Sequence, residues 1–195
     1  MTEATYIVKG DRYEVFTVQP LGHEAIAHML SDQNTVIYEV MDGSTFRYLV
    51  VNGVLTSERI EPRDDSSFLS YIETALGSST DDEDEPLDEC YGIDDFNAIA
   101  LTLLYIDYLD FEEKAIAILD TLDDHERRSL PEDHLGHDFW LTRNGHGAGF
   151  WDGDWDNEFI EMGDRLTNLS KQYPAVDIYE GDDGLLYVIG LSIAS

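Results

Sequence analysis

The sequence predicts an α+β protein: an N-terminal antiparallel sheet with a short helix, an acidic helical middle, and a C-terminal part made of hairpin, helix and hairpin. Three observations lead there. Runs of β-branched and aromatic residues crowd the first sixty positions, apolar residues recur at helical spacing from 66 to 122, and hairpin punctuation returns after 138. The change of character after Pro62 divides the chain into a β-rich domain, 1–62, and an acidic α+β domain, 63–195.

Residues 5–18 read as two strands, Thr5 to Gly10 and Tyr13 to Val18. Pro20 and Gly22 break the pattern, and residues 23–30 suit a short helix with Ile26, Met29 and Leu30 on one side. Strands follow at 35–41, 45–51 and 54–60, separated by Asp42-Gly43-Ser44 and by Asn52-Gly53, a two-residue hairpin signal. Ser66 or Ser67 can cap a helix carrying Phe68, Leu69, Ile72, Ala75 and Leu76, closed by Gly77. An acidic loop, 78–90, comes next. Asp94 or Asp95 then caps a helix through Leu109, and a second helix spans 111–122, both with acids in the first turn where the helix dipole favours them. Residues 138–151 read as a hairpin turning at Asn144-Gly145, with Trp140 facing Gly149 and Thr142 facing Gly147. A helix at 157–172 ends before Pro174, and strands 176–179 and 185–189 close the chain around Gly181-Asp182-Asp183-Gly184.

Composition narrows the function. Eleven Tyr, eight Phe and three Trp among 195 residues argue against wholesale disorder. No apolar run approaches the ~18 residues of a membrane span. The start, Met1-Thr2-Glu3, carries neither region of a signal peptide, and Cys90 stands alone, so a cytoplasmic home without disulfides is expected. A formal charge of −31 opposes direct binding to nucleic acid or an anionic membrane.

That charge needs a cause, because solubility is served by a magnitude of ~2–8 in a small domain. A compact chain of this length is roughly 40 Å across. Forty ångströms of duplex DNA carry roughly 24 charges, so the two match in magnitude. The acids are also unevenly placed: between Arg63 and Lys114, fifty residues hold sixteen Asp or Glu and no Lys or Arg. A solvated acidic face is one reading. A salt-adapted surface is another, but the large Ile, Leu, Tyr and Phe content fits it poorly. The third, which we favour, is mimicry of nucleic acid, with carboxylates standing where phosphates would.

Other motifs point more weakly to chemistry. Gly145-His146-Gly147-Ala148-Gly149 lacks the Lys and helix of a phosphate loop. His23-Glu24 and His28 are five apart, about 140° from sharing a helical face, so no zinc protease is indicated. Asp152, Asp154, Asp156 and Glu158 alternate as in a calcium loop but meet Asn157 and Gly163 where Gly and Glu are required. His134, His137, Asp138, Arg143 and His146 cluster in sequence and make a small metal-dependent hydrolase the runner-up, with the His137/His146 hairpin as its centre.

The block from Gly136 to Asp152, Gly-His-Asp-Phe-Trp-Leu-Thr-Arg-Asn-Gly-His-Gly-Ala-Gly-Phe-Trp-Asp, resembles one in an uncharacterised family of small bacteriophage-encoded proteins. Leu87 to Tyr91, Gly163 to Thr167 and Val176 to Tyr179 share the resemblance, which covers roughly 65–190. It implies a phage or prophage origin and carries no catalytic residues. By analogy with acidic phage inhibitors, it favours mimicry.

The expected function is therefore a non-enzymatic acidic phage protein that binds a bacterial DNA-handling protein and blocks its nucleic-acid groove. Restriction or other defence nucleases, RNA polymerase, and repair or nucleoid proteins are the partner classes. The expected contact residues are Asp81, Asp82, Glu83, Asp84, Glu85, Asp88, Glu89, Asp94, Asp95, Asp107, Asp110, Glu112 and Glu113. No cofactor or metal is expected, and homodimerisation is left open. A virion or interaction protein whose charge only keeps it soluble is the remaining alternative, and its carboxylates would scatter evenly.

Overall fold

Five strands form where β-branched and aromatic residues crowd: β1 (Ala4–Lys9), β2 (Tyr13–Val18), β3 (Val36–Met41), β4 (Ser44–Val51) and β5 (Val54–Ile60). The structure, a computed structural model, describes residues 3–9, 13–30, 35–42, 44–51, 54–81, 83–122, 134–152 and 160–191. The strands make one antiparallel sheet in the order β2-β1-β3-β4-β5. They belong to the first of two compact units, Met1–Glu61; the second is Pro62–Leu191.

Register places Tyr6 opposite both Phe16 and Glu39, and Ile37 opposite Tyr48, so these side chains share one face. Helix α1 (His23–Met29) lays Ile26 on that face, in a cluster with Ala4, Tyr6, Leu30, Ile37 and Tyr48. The acid in this cluster is satisfied rather than stranded. Glu39 is 6% exposed, and it accepts from the Tyr6 hydroxyl and, at 2.8 Å, from the Tyr48 hydroxyl. The Tyr6 oxygen in turn accepts from Leu21 N–H at 2.7 Å. β4 and β5 pair as far as Val51 opposite Val54; the connecting Asn52 and Gly53 lie outside the described residues.

The second unit begins with α2 (Ser66–Ser78). Its cap is Asp65, whose Oδ1 accepts from Phe68 N–H at 2.9 Å, instead of the expected Ser66 or Ser67. Where two helices were expected, a single α3 (Ala98–Leu119) runs through, capped by Asn97, whose Oδ1 accepts from Ile99 and Ala100 N–H. No Gly or Pro stands between Asn97 and Leu122, so nothing ends the helix at Asp110. Asp94 and Asp95 lie instead in a single 3-10 turn, Ile93–Asp95.

The largest correction falls on 138–151. The first hairpin of the expected C-terminal hairpin, helix and hairpin does not form, because α4 (His134–Arg143) takes its place. Asn144-Gly145 closes that helix as a Schellman cap: His146 N–H donates to Leu141 C=O at 2.9 Å and Gly145 N–H to Thr142 C=O at 3.3 Å, with Gly145 at φ 73°. The same dipeptide suits a hairpin turn and a helix end, since both need a left-handed residue. Burial decided between them. Eight of the ten residues of α4 are buried, Phe139 and Trp140 among them, so the apolar stripe that marks a helix is absent from the sequence. Burying each large apolar side chain is worth about 1.5–3 kcal/mol. Strand propensities span only about 1 kcal/mol, too little to compete. Gly136 lets α4 press on α2, for a Cβ there would collide with the Ser67 carbonyl oxygen.

Helix α5 (Ile160–Ser170) follows; the expected start at 157–159 lies outside the described residues. The strands β6 (Asp177–Glu180) and β7 (Leu186–Ile189) form the closing hairpin. Between the helices lies an aromatic core: the Phe111 and Phe139 rings stack at 3.7 Å, and Tyr71 meets Phe139 and Trp140 at 5.6 and 5.2 Å. Among the described residues, no helix is long and apolar enough to cross a membrane.

Candidate functional site

Of the 42 acidic residues, 33 follow Glu61, together with seven of the 11 Lys and Arg. The charge is therefore a property of the second unit. Within it, Asp81, Glu83, Asp84, Glu85, Asp88, Glu89 and Asp94 are exposed and Asp95 is half-buried; Asp82 lies outside the described residues.

The segment that carries these groups is held at every few residues. Thr80 pairs with Pro86, and Asp81 N–H donates to Glu85 C=O at 3.0 Å. Asp81 also folds its own loop: its Oδ1 accepts from the N–H groups of Glu83 and Glu85 at 2.8 and 3.0 Å. Asp84 sits in the left-handed region at φ 64°. Leu87, 2% exposed, pins the next turn to the core while its N–H donates to Ser79 C=O at 3.0 Å. Asp95 Oδ2 accepts from Gly92 N–H at 2.7 Å, and Phe96, 5% exposed, anchors the far end. One cation is engaged here, with Arg63 Nε donating to Asp94 Oδ1 at 2.6 Å between exposed side chains.

A second acidic segment joins the first. Asn97 N–H donates to Leu186 C=O at 2.9 Å and Phe96 bridges Leu186, so the β6–β7 hairpin lies beside the start of α3. Interaction with Glu180 holds the exposed Tyr91 phenol above its usual range, and Asp81 adds to that field. In the hairpin turn, Asp183 accepts from the Tyr187 hydroxyl at 2.8 Å and from Leu185 N–H at 3.2 Å, and these bonds hold its carboxyl below the usual carboxylate range. It stays ionised. Asp177, Glu180, Asp182 and Asp183 are all exposed, and all were missed by the sequence reading, which took Gly181-Asp182-Asp183-Gly184 only as a turn. No local signal could have found them, because the pairing that brings them in is long-range.

The helical acids fare differently. Asp107, one of the expected contact residues, is not available for contact: it is 6% exposed, and its Oδ2 accepts from Arg143 Nη1 at 2.6 Å. The fused α3 is enclosed on most sides, which leaves no polar face at that turn. Asp110 is half-buried and bound to Lys114 Nζ at 2.5 Å and the Tyr173 hydroxyl at 2.7 Å. Glu112 is half-buried, with Oε1 2.9 Å from the Tyr108 hydroxyl, and burial raises its carboxyl above the usual range. Glu113 is exposed on α3.

The histidine group does not gather. Arg143 is buried, with Nε and Nη2 donating to Pro174 C=O at 3.0 and 2.7 Å. His137 Nδ1 lies 2.8 Å from Oδ1 of the buried Asp138, and the His134 and His137 rings are 5.9 Å apart. His146 stands past the end of α4, beside Trp140 and Asn144. Among the described residues, no group of three or more His, Cys, Asp or Glu is placed to hold a metal ion. Asp154, Asp156 and Glu158 lie outside the described residues.

Compared with family models, curated proteins and solved structures, the chain matches none.

Proposed function

We propose that this is an acidic, phage-encoded inhibitor that acts in the bacterial cytoplasm by presenting a nucleic-acid-like face to a DNA-handling protein. The observation that carries the reading is that two acidic segments, each braced by its own hydrogen bonds, lie side by side where Phe96 and Asn97 meet Leu186. A charge kept only for solubility has no need of such bracing, or of confinement largely to one unit. A face of ionised carboxylates accepts hydrogen bonds and attracts cations, as a phosphate backbone does. The contact residues we assign are Asp81, Asp82, Glu83, Asp84, Glu85, Asp88, Glu89, Asp94, Asp95 and Glu113, with Asp177, Glu180, Asp182 and Asp183 added. Association should be fast and sensitive to salt.

The test is capture from a bacterial lysate on immobilised protein at about 50 mM and about 500 mM NaCl, with elution by duplex DNA. The expected result is a nucleic-acid-binding protein retained at low salt and displaced by duplex. Recovery of no such protein under either condition refutes the reading.

A further inference from the structure

A groove of about 650 Å³ opens beside the acidic face, within the range of about 300–1,000 Å³ typical of ligand sites. Thr80, at the root of the acidic loop, lines it together with Trp140, Asn144 and His146 and with Asp177 and Ile189 of the closing hairpin. Part of the lining is held by hydrogen bonds: Trp140 Nε1–H donates to Ser78 Oγ at 2.8 Å, and Asn144 bonds Trp140 C=O and Val176 N–H at 3.1 and 2.8 Å.

The groove does not end at its mouth. Asp177 pairs with Ile189 and Tyr179 with Tyr187, and two-residue alternation places all four on one face of the hairpin. Ile189 is 54% exposed and Tyr179 45% exposed. The Tyr179 and Tyr187 rings stack at 5.8 Å, and the Tyr187 hydroxyl is fixed to Asp183. A carboxylate beside Ile189 thus leads onto an aromatic surface with a second carboxylate at its edge.

We propose that this groove and the hairpin face next to it seat an extended, arginine-bearing segment of the partner, with one guanidinium at Asp177 and a second over Tyr179 and Tyr187. The inference rests on the partner being basic, as proposed above, and it adds a preference that phosphate mimicry alone does not contain. Guanidinium is planar, weakly hydrated and stacks on aromatic rings, whereas ammonium is a strongly hydrated point charge. Net charge draws both, and a carboxylate can add a bidentate bond to guanidinium, so the track's own share is the part of the preference lost when Tyr179 or Ile189 is replaced. An aliphatic and aromatic track beside carboxylates favours arginine.

The probes are a nona-arginine and a nona-lysine peptide, which carry equal charge, titrated into the full-length protein at about 0.15 M ionic strength. Nona-arginine should bind about five- to tenfold more tightly, the gain of one or two exposed cation–π contacts. Tyr179→Ser and Ile189→Ser should each weaken nona-arginine about two- to fivefold and leave nona-lysine unchanged, while Tyr179→Phe keeps the preference. Both positions are about half exposed, so the fold should survive, and thermal melts check this. Equal affinity for the two peptides, or substitutions that shift both alike, overturns the proposal. Lysate capture asks what the partner handles and the peptide titration asks what the groove prefers, so either can fail alone.

Discussion

Arg143 Nη1 donates to Asp107 Oδ2 at 2.6 Å inside the second unit, with the two side chains 0% and 8% exposed. Tyr71 adds its hydroxyl at 3.1 Å from the same nitrogen, and the guanidinium lies 4.9 Å from the centre of the Phe139 ring. The pair therefore ties α3 to α4, shielded from bulk solvent by burial. Removing one partner of such a pair leaves a buried charge uncompensated. Arg143→Met should lower the unfolding free energy by about 3–5 kcal/mol, and the double variant with Asp107→Leu should recover much of the loss. Urea denaturation measures both. A single variant within about 1 kcal/mol of wild type would show that the pair carries no such role.

Glycine matters at Gly136 for a different reason from most glycines. The backbone there is helical, and the demand is for space against the Ser67 carbonyl. Gly136→Ala should cost about 1–3 kcal/mol by forcing α2 and α4 apart. Gly147→Ala, with nothing within 4 Å of the added carbon, serves as the neutral control in the same thermal melts.

Alkaline pH should weaken the fold. Burial, reinforced by the hydrogen bond to Glu39, pushes the Tyr6 phenol up to about 12, and Tyr48 is raised by the same causes in the same order. Burial also pushes Tyr71 up to about 12. Unfolded tyrosines lose their protons near pH ~10, while the native ones keep theirs. Stability is thus fully present below pH ~10 and falls as pH climbs towards about 12. Urea midpoints at a series of pH values test this. A midpoint that holds steady from pH ~9 to ~11.5 contradicts it.

Asp81 should govern the order of the acidic loop. Asp81→Ala removes the acceptor for the Glu83 and Glu85 N–H groups, and hydrogen exchange at those two amides should quicken. Asp81→Asn, which keeps the acceptor, should retain most of the protection while removing the charge. Unchanged exchange in the alanine variant would mean that the bridge between Thr80 and Pro86 alone holds the turn.

The α+β class and the sheet of the first unit were legible because β-branched and aromatic enrichment and turn residues act locally, as at Tyr6, Ile37 and the Asn52-Gly53 signal. The single α3 was legible only in part. Its apolar spacing showed a helix, but the acids from Asp107 to Glu113 suggested an interruption and an outward face that Arg143, distant in sequence, removes at Asp107. Helix α4 was not legible, since a segment enclosed on nearly every side shows neither helical nor strand periodicity. The acidic segment 81–95 could be read directly. Its meeting with Glu180 and Asp183 could not, because it depends on Phe96 and Asn97 reaching Leu186.

The bracing of the loop at Thr80, Asp81 and Leu87 has a thermodynamic consequence. Fixing a backbone residue into one conformation costs about 1–2 kcal/mol of entropy. A disordered acidic tail would meet that cost at the moment of docking, whereas this loop has already met it during folding. If the loop docks as proposed, little ordering entropy remains to be lost at that moment, and affinity should depend little on loop ordering.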